Sequence, residues 1–369
     1  MIEAEGLVVA SEQAPQGVEM RALQIKVVVQ PPEPPPLELH RPEIRAGTAT
    51  ILDHAAVALR HPRKRAYFAI TAAAVAGYRA ALEEMRFIEI HTPKIVSSAT
   101  ETGANLFPLR YFDRDAFLAQ SPQFYKQIMV GVFERVFEVG PVFRAEPHDT
   151  TRHLSQYVSL DAEIGFIEDH HSVMDLLRKA IAGMGAAVSQ RCPEAVEMLR
   201  LTIPTTPTEI PHVHFSDAQE LLTQSLGEDV TGEPDLAPAH ERWLSKWALE
   251  KWGSDFLFVT GFPMVKRPFY TFPDDARPRY SKSFDLLFRG LEISTGGQRL
   301  HLYDDYVRVL GDLGQDLGNY EGYLEAFRYG MPPHGGFAIG LERWVARLVE
   351  EDNVRQTTLF PRDVHRLTP

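Results

Sequence analysis

The pattern of apolar and polar residues predicts two strands near the start of the chain. Residues 6–10 are an apolar run, APQG at 14–17 predicts a turn, and apolar and polar residues roughly alternate over 18–29. Alternation of this kind is typical of a half-buried strand. Five prolines then fall within residues 31–36, which excludes a helix or a central strand there and predicts a stiff connector.

After the proline run, the pattern changes to a mixture of helices and strands. Residues 66–85 are apolar and rich in alanine, which predicts a long, packed helix. At the start of a later helix, Ser121 is predicted as the N-cap and Pro122 as the first helical residue. Successive strands are joined by tight turns rather than by regular helical crossovers. The chain is therefore predicted to have an α+β fold, with an antiparallel sheet flanked by helices.

Composition narrows the class of protein. With 369 residues, the chain is long enough for two or three domains. No apolar run reaches the roughly 18 residues that a membrane-spanning helix needs. The single cysteine, Cys192, excludes an internal disulfide framework and fits a reducing cytoplasm. At a net charge of −12, any nucleic acid must be bound by a local basic patch; RHPRKR at 60–65 is a candidate, although most such runs are solvated faces.

A first cluster of candidate functional residues lies on a predicted strand–turn–strand hairpin. Arg144 and Glu146 share one face of the first strand, and Arg152 and His153 return beside them after the turn. An arginine side chain matches phosphate oxygens two at a time, and the flat ring of Tyr157 offers a surface on which a base can stack. The cluster predicts a nucleotide site. The alternative is a surface hairpin whose arginines form salt bridges.

Two further clusters carry charges beside apolar segments in the last third of the chain. In FDLLFRGLEISTGGQRLH, Glu292 with a nearby hydroxyl is a candidate Mg²⁺ ligand, and Arg299 follows a Gly–Gly turn where it could meet a carboxylate. The alternative is an internal ion-pair network, because charges on a buried strand must be paired. In MPPHGGFAIGLERWV, Arg343 lies in the first turn of a helix, where the helix N-terminus also favours an anion.

A fourth cluster surrounds the start of the helix after AFLAQ. Its polar groups would suit a small zwitterion that carries an extra carboxylate, whereas the alternative is a capped, solvated helix start. The residues concerned are Glu101, Gln120, Ser121, Gln123 and Lys126.

Two groups of histidines are interpreted as surface features rather than as metal sites. His212 and His214 in HVH have metal-like spacing, and EDHH at 168–171 is predicted to be a loop and a helix start. No third ligand lies close to HVH in the sequence. The sequence also contains neither a GxxxxGK[ST] phosphate loop nor a GxGxxG pattern that opens a helix, so other common nucleotide-binding motifs are excluded.

These segments together resemble the class II aminoacyl-tRNA synthetases, and among them the aspartyl-tRNA synthetases of archaeal type. The resemblance extends from about Gly6 to Pro369 and is carried by LAQSPQFYKQIMVGVFERVFEVGPVFRAE, TTRHL, SFDLLFRGLEI, GGQR, YGMPPHGGFAIGLERW and FPRD. Residues 143–161 look like the motif 2 hairpin that grips ATP. FIEIHTPKI looks like motif 1, whose region around Pro93 implies a homodimer, and GFAIGLERW looks like motif 3.

The resemblance implies an enzyme that activates L-aspartate with ATP and transfers it to the 3′ end of tRNA(Asp), and also of tRNA(Asn) in non-discriminating members of the family. It implies catalytic roles for Arg144, Arg343 and Glu292, with Arg144 neutralising the α-phosphate. The implied Mg²⁺ ligands are Glu292 and Thr295, where the family usually has serine at the second position. The implied ATP-binding residues are Arg144, Glu146, Arg152, His153, Tyr157, Glu292 and Arg343.

The resemblance also implies how the amino acid is bound. Lys126 and Arg299 would clamp the side-chain carboxylate of aspartate, which an asparagine amide would not satisfy equally. The complete set of implied aspartate-binding residues is Glu101, Gln120, Ser121, Gln123, Lys126, Asp161 and Arg299.

Three positions depart from the family pattern. Ser155 and Gln156 stand where RHLNE is usual, and Thr102 stands where the mobile loop usually has glycine. The loss of a carboxylate beside the site is expected to retune its polar network, and the threonine is expected to alter loop closure.

The N-terminal part resembles only the end of the family's OB-fold, the domain that binds the anticodon. We expect residues 1–39 to be a remnant of that domain, 40–65 to be a hinge and 66–369 to be the class II catalytic domain. Three interpretations follow: an N-terminally shortened or wrongly started synthetase, a paralogue that passes aspartyl-adenylate to ammonia, or a non-enzymatic paralogue that binds nucleotide. The intact catalytic residues and proline hinge favour the first.

Overall fold

The structure is a computed structural model that describes residues 1–14, 17–98 and 105–368. The chain divides into two compact units, Met1–His61 and Pro62–Pro369. Within the described ranges, no helix combines the length and the apolar character that crossing a membrane requires.

The first unit begins with the predicted pair of strands. Strand β1 (Ile2–Ala10) pairs antiparallel with β2 (Val18–Val27), with an irregularity between Glu5 and Gly6. Of the predicted turn between them, Pro15 and Gln16 lie outside the described residues. Every residue of β2 is exposed, so the prediction of a half-buried strand is wrong. Alternation gives a strand an apolar face, but burial also needs a packing partner, and no described element covers this face.

The rest of the first unit contains two short helices, α1 (Thr48–Asp53) and α2 (Ala55–Ala58). Its buried apolar side chains come from this region and from the end of the proline-rich connector. They are Leu37, Ile51, Leu52, Ala55 and Ala58, of which Leu37, Ile51 and Ala58 form one cluster.

The described residues of the second unit form an eight-stranded and a three-stranded sheet. The strands are β3 (Ile88–Glu89), β4 (Ile95–Val96), β5 (Pro108–Tyr111), β6 (Arg114–Leu118), β7 (Arg135–Phe143), β8 (Gln156–Gly165), β9 (His212–His214), β10 (Phe256–Thr260), β11 (Ser283–Phe288), β12 (Leu291–Gln298) and β13 (His334–Gly340).

The large sheet has the strand order β3-β7-β8-β13-β12-β11-β10-β9, and the small sheet has the order β4-β6-β5. The central strands from β7 to β10 pair antiparallel, which confirms the predicted antiparallel sheet. Both edges differ from the prediction, because β3 pairs parallel with β7 and β9 pairs parallel with β10. In the sequence, at least one helix lies between the two strands of each parallel pair, and such helical connections permit parallel pairing.

The helices of the second unit are α3 (Pro62–Glu84), α4 (Gln123–Phe133), α5 (His170–Arg191), α6 (Pro193–Leu199), α7 (Phe215–Leu226), α8 (Pro238–Trp252), α9 (Tyr303–Asp312), α10 (Glu321–Arg328) and α11 (Leu341–Leu348), with 3₁₀ turns at Met264–Lys266, Leu317–Tyr320 and Val354–Thr357.

Two predicted helix starts require correction. Helix α3 begins at Pro62, four residues before the predicted start, because proline is well tolerated in a first helical turn. The N-cap of α4 is Pro122 rather than Ser121. The carbonyl of Pro122 accepts the N–H of Lys126, and this bond belongs to the first helical turn. Ser121 is therefore released from capping and lies buried just before the helix.

Strand alternation gives the large sheet two faces of different character. On one face, Phe137, Leu160 and Phe337 belong to the main apolar core, to which helices α3, α5 and α11 also contribute. On the other face of β8, Asp161 and Glu163 are buried but polar. The apolar face is therefore the structural core, and the polar face is where a site can form.

Helices α3 and α5 approach each other closely at a pair of glycines. A Cβ atom on Gly77 would lie 2.4 Å from the carbonyl oxygen of Gly183, and one on Gly183 would lie 2.7 Å from the Cβ of Ala81. These separations are shorter than van der Waals contact, so the two helix backbones can pack at this distance only because side chains are absent.

We predict that Gly77→Ala lowers the free energy of unfolding by about 1–3 kcal/mol, because the new methyl group overpacks the α3–α5 crossing. The matched control is Gly311→Ala in helix α9, where a Cβ would meet open space. There the higher helix propensity of alanine should raise stability by roughly 0.5–1 kcal/mol. Urea unfolding followed by circular dichroism measures both changes, and equal effects at the two sites would contradict the close packing.

Candidate active site

Backbone pairing aligns polar residues across the centre of the large sheet. Asp161 on β8 pairs with Ala338 on β13, Ala338 pairs with Thr295 on β12, and Thr295 pairs with Asp285 on β11. Directly paired residues of neighbouring strands point to the same face. The small side chain of Ala338 leaves room in the middle of this row for a ligand.

An irregularity between β11 and β12 brings Glu292 and Thr295 together. Two adjacent residues of β11 pair with Ser294 and Glu292, which leaves Ile293 as an extra residue in β12. Residues three positions apart would face opposite sides of a regular strand, and one extra residue places them on the same side. The Thr295 hydroxyl accordingly donates a hydrogen bond to Glu292 Oε1 at 3.1 Å.

A cleft of about 700 Å³, which is partly open to solvent, lies beside this row. Residues predicted as one ATP-binding set, although they are scattered over 200 positions of the sequence, all line it. They are Arg144, Glu146, Arg152, His153, Tyr157, Glu292 and Arg343.

The cleft is rich in cationic and neutral hydrogen-bond donors. The guanidinium carbon of Arg144 lies 5.7 Å from the centre of the Tyr157 ring, a cation–π arrangement that helps to orient both side chains. Burial, reinforced by the charge of Arg343, lowers the pKa of His153 below its usual value. His153 is therefore mainly neutral near pH 7, and it can donate one hydrogen bond to a phosphate without adding a full charge.

Glu292 lies between two arginines of the cleft. Its Oε2 atom is 3.2 Å from Arg343 Nη1 and 3.6 Å from Arg152 Nη2. Burial opposes ionisation of Glu292, but the charges of Arg343 and Arg152 outweigh it and lower the pKa of Glu292. Glu292 is therefore an anion that holds both arginines in the cleft before any ligand binds.

Glu241 on helix α8 is a part of this network that the sequence did not reveal. Its Oε1 atom is 2.8 Å from Arg152 Nη1, and its Oε2 accepts the backbone N–H of Glu292 at 2.8 Å. Burial and the nearby charge of Glu292 raise the pKa of Glu241. Glu241 thus positions Arg152, a predicted ATP-binding residue, and the backbone of Glu292, a predicted metal ligand. It does so from a helix that is about 50 residues away from Glu292 in the sequence.

The donor set around Glu292 fits a Mg²⁺ ion. Asp285, Glu292 and Thr295 supply two carboxylates and a hydroxyl, and oxygen ligands are those that Mg²⁺ prefers. Burial raises the pKa of Asp285 to about 7; the Arg267 guanidinium, 3.0 Å away, opposes this rise and Glu292 adds to it. A divalent cation would relieve this crowding of carboxylates. Asp285 extends the predicted pair of ligands, Glu292 and Thr295.

Lys126 and Arg299 meet at a completely buried carboxylate on β8. Lys126 Nζ lies 3.0 Å from Asp161 Oδ1 and 3.2 Å from Glu163 Oε2, and Arg299 Nε lies 2.9 Å from Glu163 Oε1. Burial opposes the charge of Glu163, but Arg299 and Lys126 outweigh it and lower the pKa of Glu163. Two cations thus meet two buried carboxylates, Glu163 and Asp161, so the charges of the cluster balance before any ligand binds.

The other predicted aspartate-binding residues have different positions. Gln120, Ser121 and Gln123 are buried at the start of α4. The amide of Gln123 donates to Gln127, which contacts His334 and two tyrosines behind this region. Gln123 therefore contributes to the supporting network in this structure. Glu101 lies outside the described residues, as does the departure at Thr102.

The backbone of β13 passes very close to the Glu163 side chain at Gly336. A Cβ atom at position 336 would lie 2.1 Å from Glu163 Oε2. The Gly336 carbonyl also accepts a hydrogen bond from Arg299 Nη2 at 3.0 Å. Glycine at this position therefore lets β13 approach the buried ion cluster and supply one of its acceptors.

The hairpin that carries Arg144 is fixed by the C-terminal segment. The Ser155 carbonyl accepts the N–H of Arg144, and the Ser155 N–H donates to the carbonyl of Arg362. Arg355 contacts Asp149 and Asp363. Ser155, one of the departures from the family pattern, thus acts here through its backbone, and Arg355 is a positioning residue that the sequence reasoning missed.

The comparisons with known proteins agree with this arrangement. A family model described as "tRNA synthetases class II (D, K and N)" matches residues 47–364. The aspartate–tRNA(Asp/Asn) ligase of Thermus thermophilus is 47% identical over 368 residues, covering 100% of this chain and 86% of that protein. The aspartate–tRNA(Asp) ligase of Pyrococcus abyssi is 40% identical over 370 residues, covering 100% and 84%.

Solved structures show the same fold. The asparaginyl-tRNA synthetase of Pyrococcus horikoshii, complexed with asparaginyl-adenylate, matches with a TM-score of 0.90 and 32% identity, covering 100% of this chain and 84% of that one. The sheet and its polar face are thus those of a class II synthetase catalytic domain. The chain belongs to the class II tRNA synthetase family that includes the enzymes for aspartate, lysine and asparagine, which confirms the resemblance found in the sequence.

We predict that Glu241→Ala raises the KM for ATP about tenfold and changes the KM for aspartate less than twofold. The variant loses two charge-assisted hydrogen bonds that hold Arg152 and the backbone of Glu292, and tenfold corresponds to about 1.4 kcal/mol. Aspartate-dependent ATP–pyrophosphate exchange measures both constants. Glu250→Ala, which removes an exposed carboxylate from the same helix, is the control. An equal loss for both substrates would indicate general damage to the fold instead.

Proposed function

We propose that the chain activates L-aspartate with ATP, releases pyrophosphate, and transfers the aspartyl group from aspartyl-adenylate to the 3′ end of tRNA. The observation that carries this proposal is the buried cluster in which Lys126 and Arg299 share Glu163 next to the arginine-rich cleft. Relatives that this chain matches over its whole length are named aspartate–tRNA ligases.

The proposed chemistry needs positioning and charge stabilisation rather than a protein nucleophile. The α-carboxylate of aspartate attacks the α-phosphorus of ATP, an acyl–phosphate bond forms, and pyrophosphate leaves. Arg144 would neutralise charge on the α-phosphate, and His153 with Arg343 would hold the γ-phosphate. Mg²⁺ held by Glu292 and Thr295, with Asp285, would neutralise charge on the phosphates.

The amino acid would be oriented at its two ends. Asp161 would accept the α-ammonium group, because its carboxylate is buried at the β8 end of the polar row. Lys126 and Arg299 would clamp the side-chain carboxylate. Asparagine would present an amide N–H₂ to these cations, which have no acceptor to offer it, and this mismatch favours aspartate.

Arg299→Ala tests the aspartate pocket. The variant should lower kcat/KM for aspartate about 10³-fold or more, because it leaves Glu163 as a buried carboxylate with one fewer partner and removes half of the clamp. ATP binding, measured directly by calorimetry, should remain. The control is Arg289→Ala, which breaks a pair with Asp255 at the β11–β12 turn. Unchanged aspartate-dependent pyrophosphate exchange in Arg299→Ala would refute the pocket assignment.

A single reaction tests the fate of the adenylate. Protein, ATP, Mg²⁺, labelled aspartate and ammonium are mixed with purified tRNA(Asp) or tRNA(Asn). Label in acid-precipitable tRNA supports the synthetase, label in free asparagine indicates the ammonia-using paralogue, and no activation at all indicates a non-enzymatic paralogue. Because several matched relatives are named for both tRNAs, we propose that this chain charges both; strong preference for one would contradict that part.

We also propose the domain roles and the assembly. Residues 1–39 would belong to the OB-fold type of anticodon-binding part, 40–65 would be the hinge and 66–369 the catalytic domain. A homodimer would form around Pro93, where Ile88 and Ile95 are 44% and 47% exposed and β3 is an edge strand of the large sheet. As an enzyme of translation, the protein would act in the cytoplasm.

The proposed dimer predicts a specific effect of charge on this surface. Ile95→Asp should shift the protein from dimer to monomer in sedimentation velocity, because a carboxylate would be buried in the interface without a partner. Leu313→Asp, at an exposed leucine at the end of α9, serves as the control. If the unchanged protein sediments as a monomer, the proposed homodimer is refuted.

A further inference from the structure

A second cleft in the large unit is lined by four histidines. It has a volume of about 1080 Å³ and shares no lining residue with the ATP cleft. Helix α5 supplies two of the imidazoles and strand β9 supplies the other two. The histidines are His170, His171, His212 and His214, and the acidic residues Asp217 and Asp274 also line the cleft.

Three consecutive residues at the start of α5 converge on one point. One possible ligand atom from each of Asp169, His170 and His171 lies within 4.8 Å of those of the other two. Asp169 caps the helix by accepting the N–H of His171 at 2.8 Å, and its second oxygen lies 3.0 Å from His171 Nδ1. The carboxylate of Asp169 thus fixes the position of the His171 ring at the start of the helix.

His170 has a buried nitrogen that the protein does not satisfy. Among the described residues, its Nδ1 atom has no hydrogen-bond partner, although it is inaccessible to solvent. Buried polar atoms are normally paired, so an unpaired one needs an explanation.

The fold brings a further histidine, His212, close to the start of α5. The ring centres of His171 and His212 are 6.2 Å apart, although 40 positions separate these residues. HVH was discounted because no third ligand lies close to it in the sequence, and the contact with His171 is a neighbour that sequence distance does not show.

His214 is excluded from the ligand set by its own contacts. Its Nδ1 accepts the N–H of Ser216 at 3.2 Å and so caps helix α7. Its Nε2 atom is packed so closely against Gly261 that a Cβ there would lie 2.0 Å away. His214 is therefore fixed in a structural role, and three imidazoles remain.

We propose that Asp169, His170, His171 and His212 bind one divalent transition-metal ion, with Zn²⁺ as the best fit. Zn²⁺ takes imidazole nitrogen at about 2.0–2.1 Å and carboxylate oxygen, usually with four ligands. A nitrogen-rich set favours such ions over Mg²⁺, which separates this site chemically from the one at Glu292. The candidate ligand atoms of Asp169, His170 and His171 lie within 4.8 Å of one another, and the ring of His212 lies beside that of His171.

The charges around the site balance each other. The positive N-terminus of α5 and the cationic side chains of Lys251 and Arg277 oppose a bound cation. The carboxylates of Asp169, Asp217 and Asp274 offset them. The metal would connect the start of α5 to edge strand β9, so binding should stabilise this side of the sheet.

Equilibrium dialysis against Zn²⁺, with excess Mg²⁺ present to occupy the active site, tests the proposal on the full chain. The unchanged protein should bind one Zn²⁺ per chain, and its unfolding temperature should rise. His170→Ala, His171→Ala and His212→Ala should each weaken binding at least tenfold. His365→Ala is the matched control, because His365 is an exposed histidine 3.6 Å from a single carboxylate, Asp149, and its loss should leave Zn²⁺ binding unchanged.

Two further measurements distinguish loss of the fold from loss of a metal ligand. Asp169→Asn retains an oxygen that can cap α5 but loses the charge, so it should fold, by circular dichroism, and still bind Zn²⁺ more weakly. Pulsed electron paramagnetic resonance with Cu²⁺ should detect imidazole nitrogens in the unchanged protein. Absence of saturable Zn²⁺ binding, or folded His170→Ala and His171→Ala variants with unchanged affinity, would overturn the proposal. Unchanged affinity in His212→Ala would overturn the four-ligand set.

Discussion

The buried carboxylate of Glu163 is the group on which the rest of the site depends. It is 0% exposed on the polar face of the sheet, between Lys126 and Arg299. A charge removed from water in this way is tolerated only when strong partners surround it, and removing one partner of such a group costs about 3–5 kcal/mol. The cluster therefore holds α4, β8, β12 and β13 in one arrangement, and that arrangement places two cations on the polar face of the sheet.

The sequence predicts the parts of this fold that follow from local pattern. The polar face of β8 could be predicted because Ser159, Asp161 and Glu163 alternate with apolar residues, and period-two alternation has a direct structural meaning. The prediction that β2 is half-buried was wrong. Alternation shows which side of a strand could be buried, but not whether another element covers that side. The N-cap of α4 was displaced by one residue, since both Ser121 and Pro122 are acceptable helix starters.

The parts of the site that could not be predicted depend on distant contacts. Glu241 lies on α8, in a stretch of sequence with no motif, and only the folded chain shows it between Arg152 and the backbone of Glu292. The bulge at Ile293 could not be predicted either, because a bulge is defined by the pairing with the partner strand rather than by its own sequence. The rings of His171 and His212 lie together although they come from a helix start and a strand that are distant in the sequence, and local patterns do not specify such a contact.

The charged network also explains how the cleft can be ready for a polyanion before one arrives. Glu292 and Glu241 hold Arg152 and Arg343 in the cleft, so these side chains need little reordering when phosphates bind. The carboxylates that position the arginines would repel the same phosphates, and burial, with the nearby charge of Glu292, raises the pKa of Asp285 and of Glu241. A divalent cation held by Glu292, Thr295 and Asp285 would supply positive charge that offsets this repulsion. The network would therefore suit a cation and a polyanion bound together better than either ligand alone.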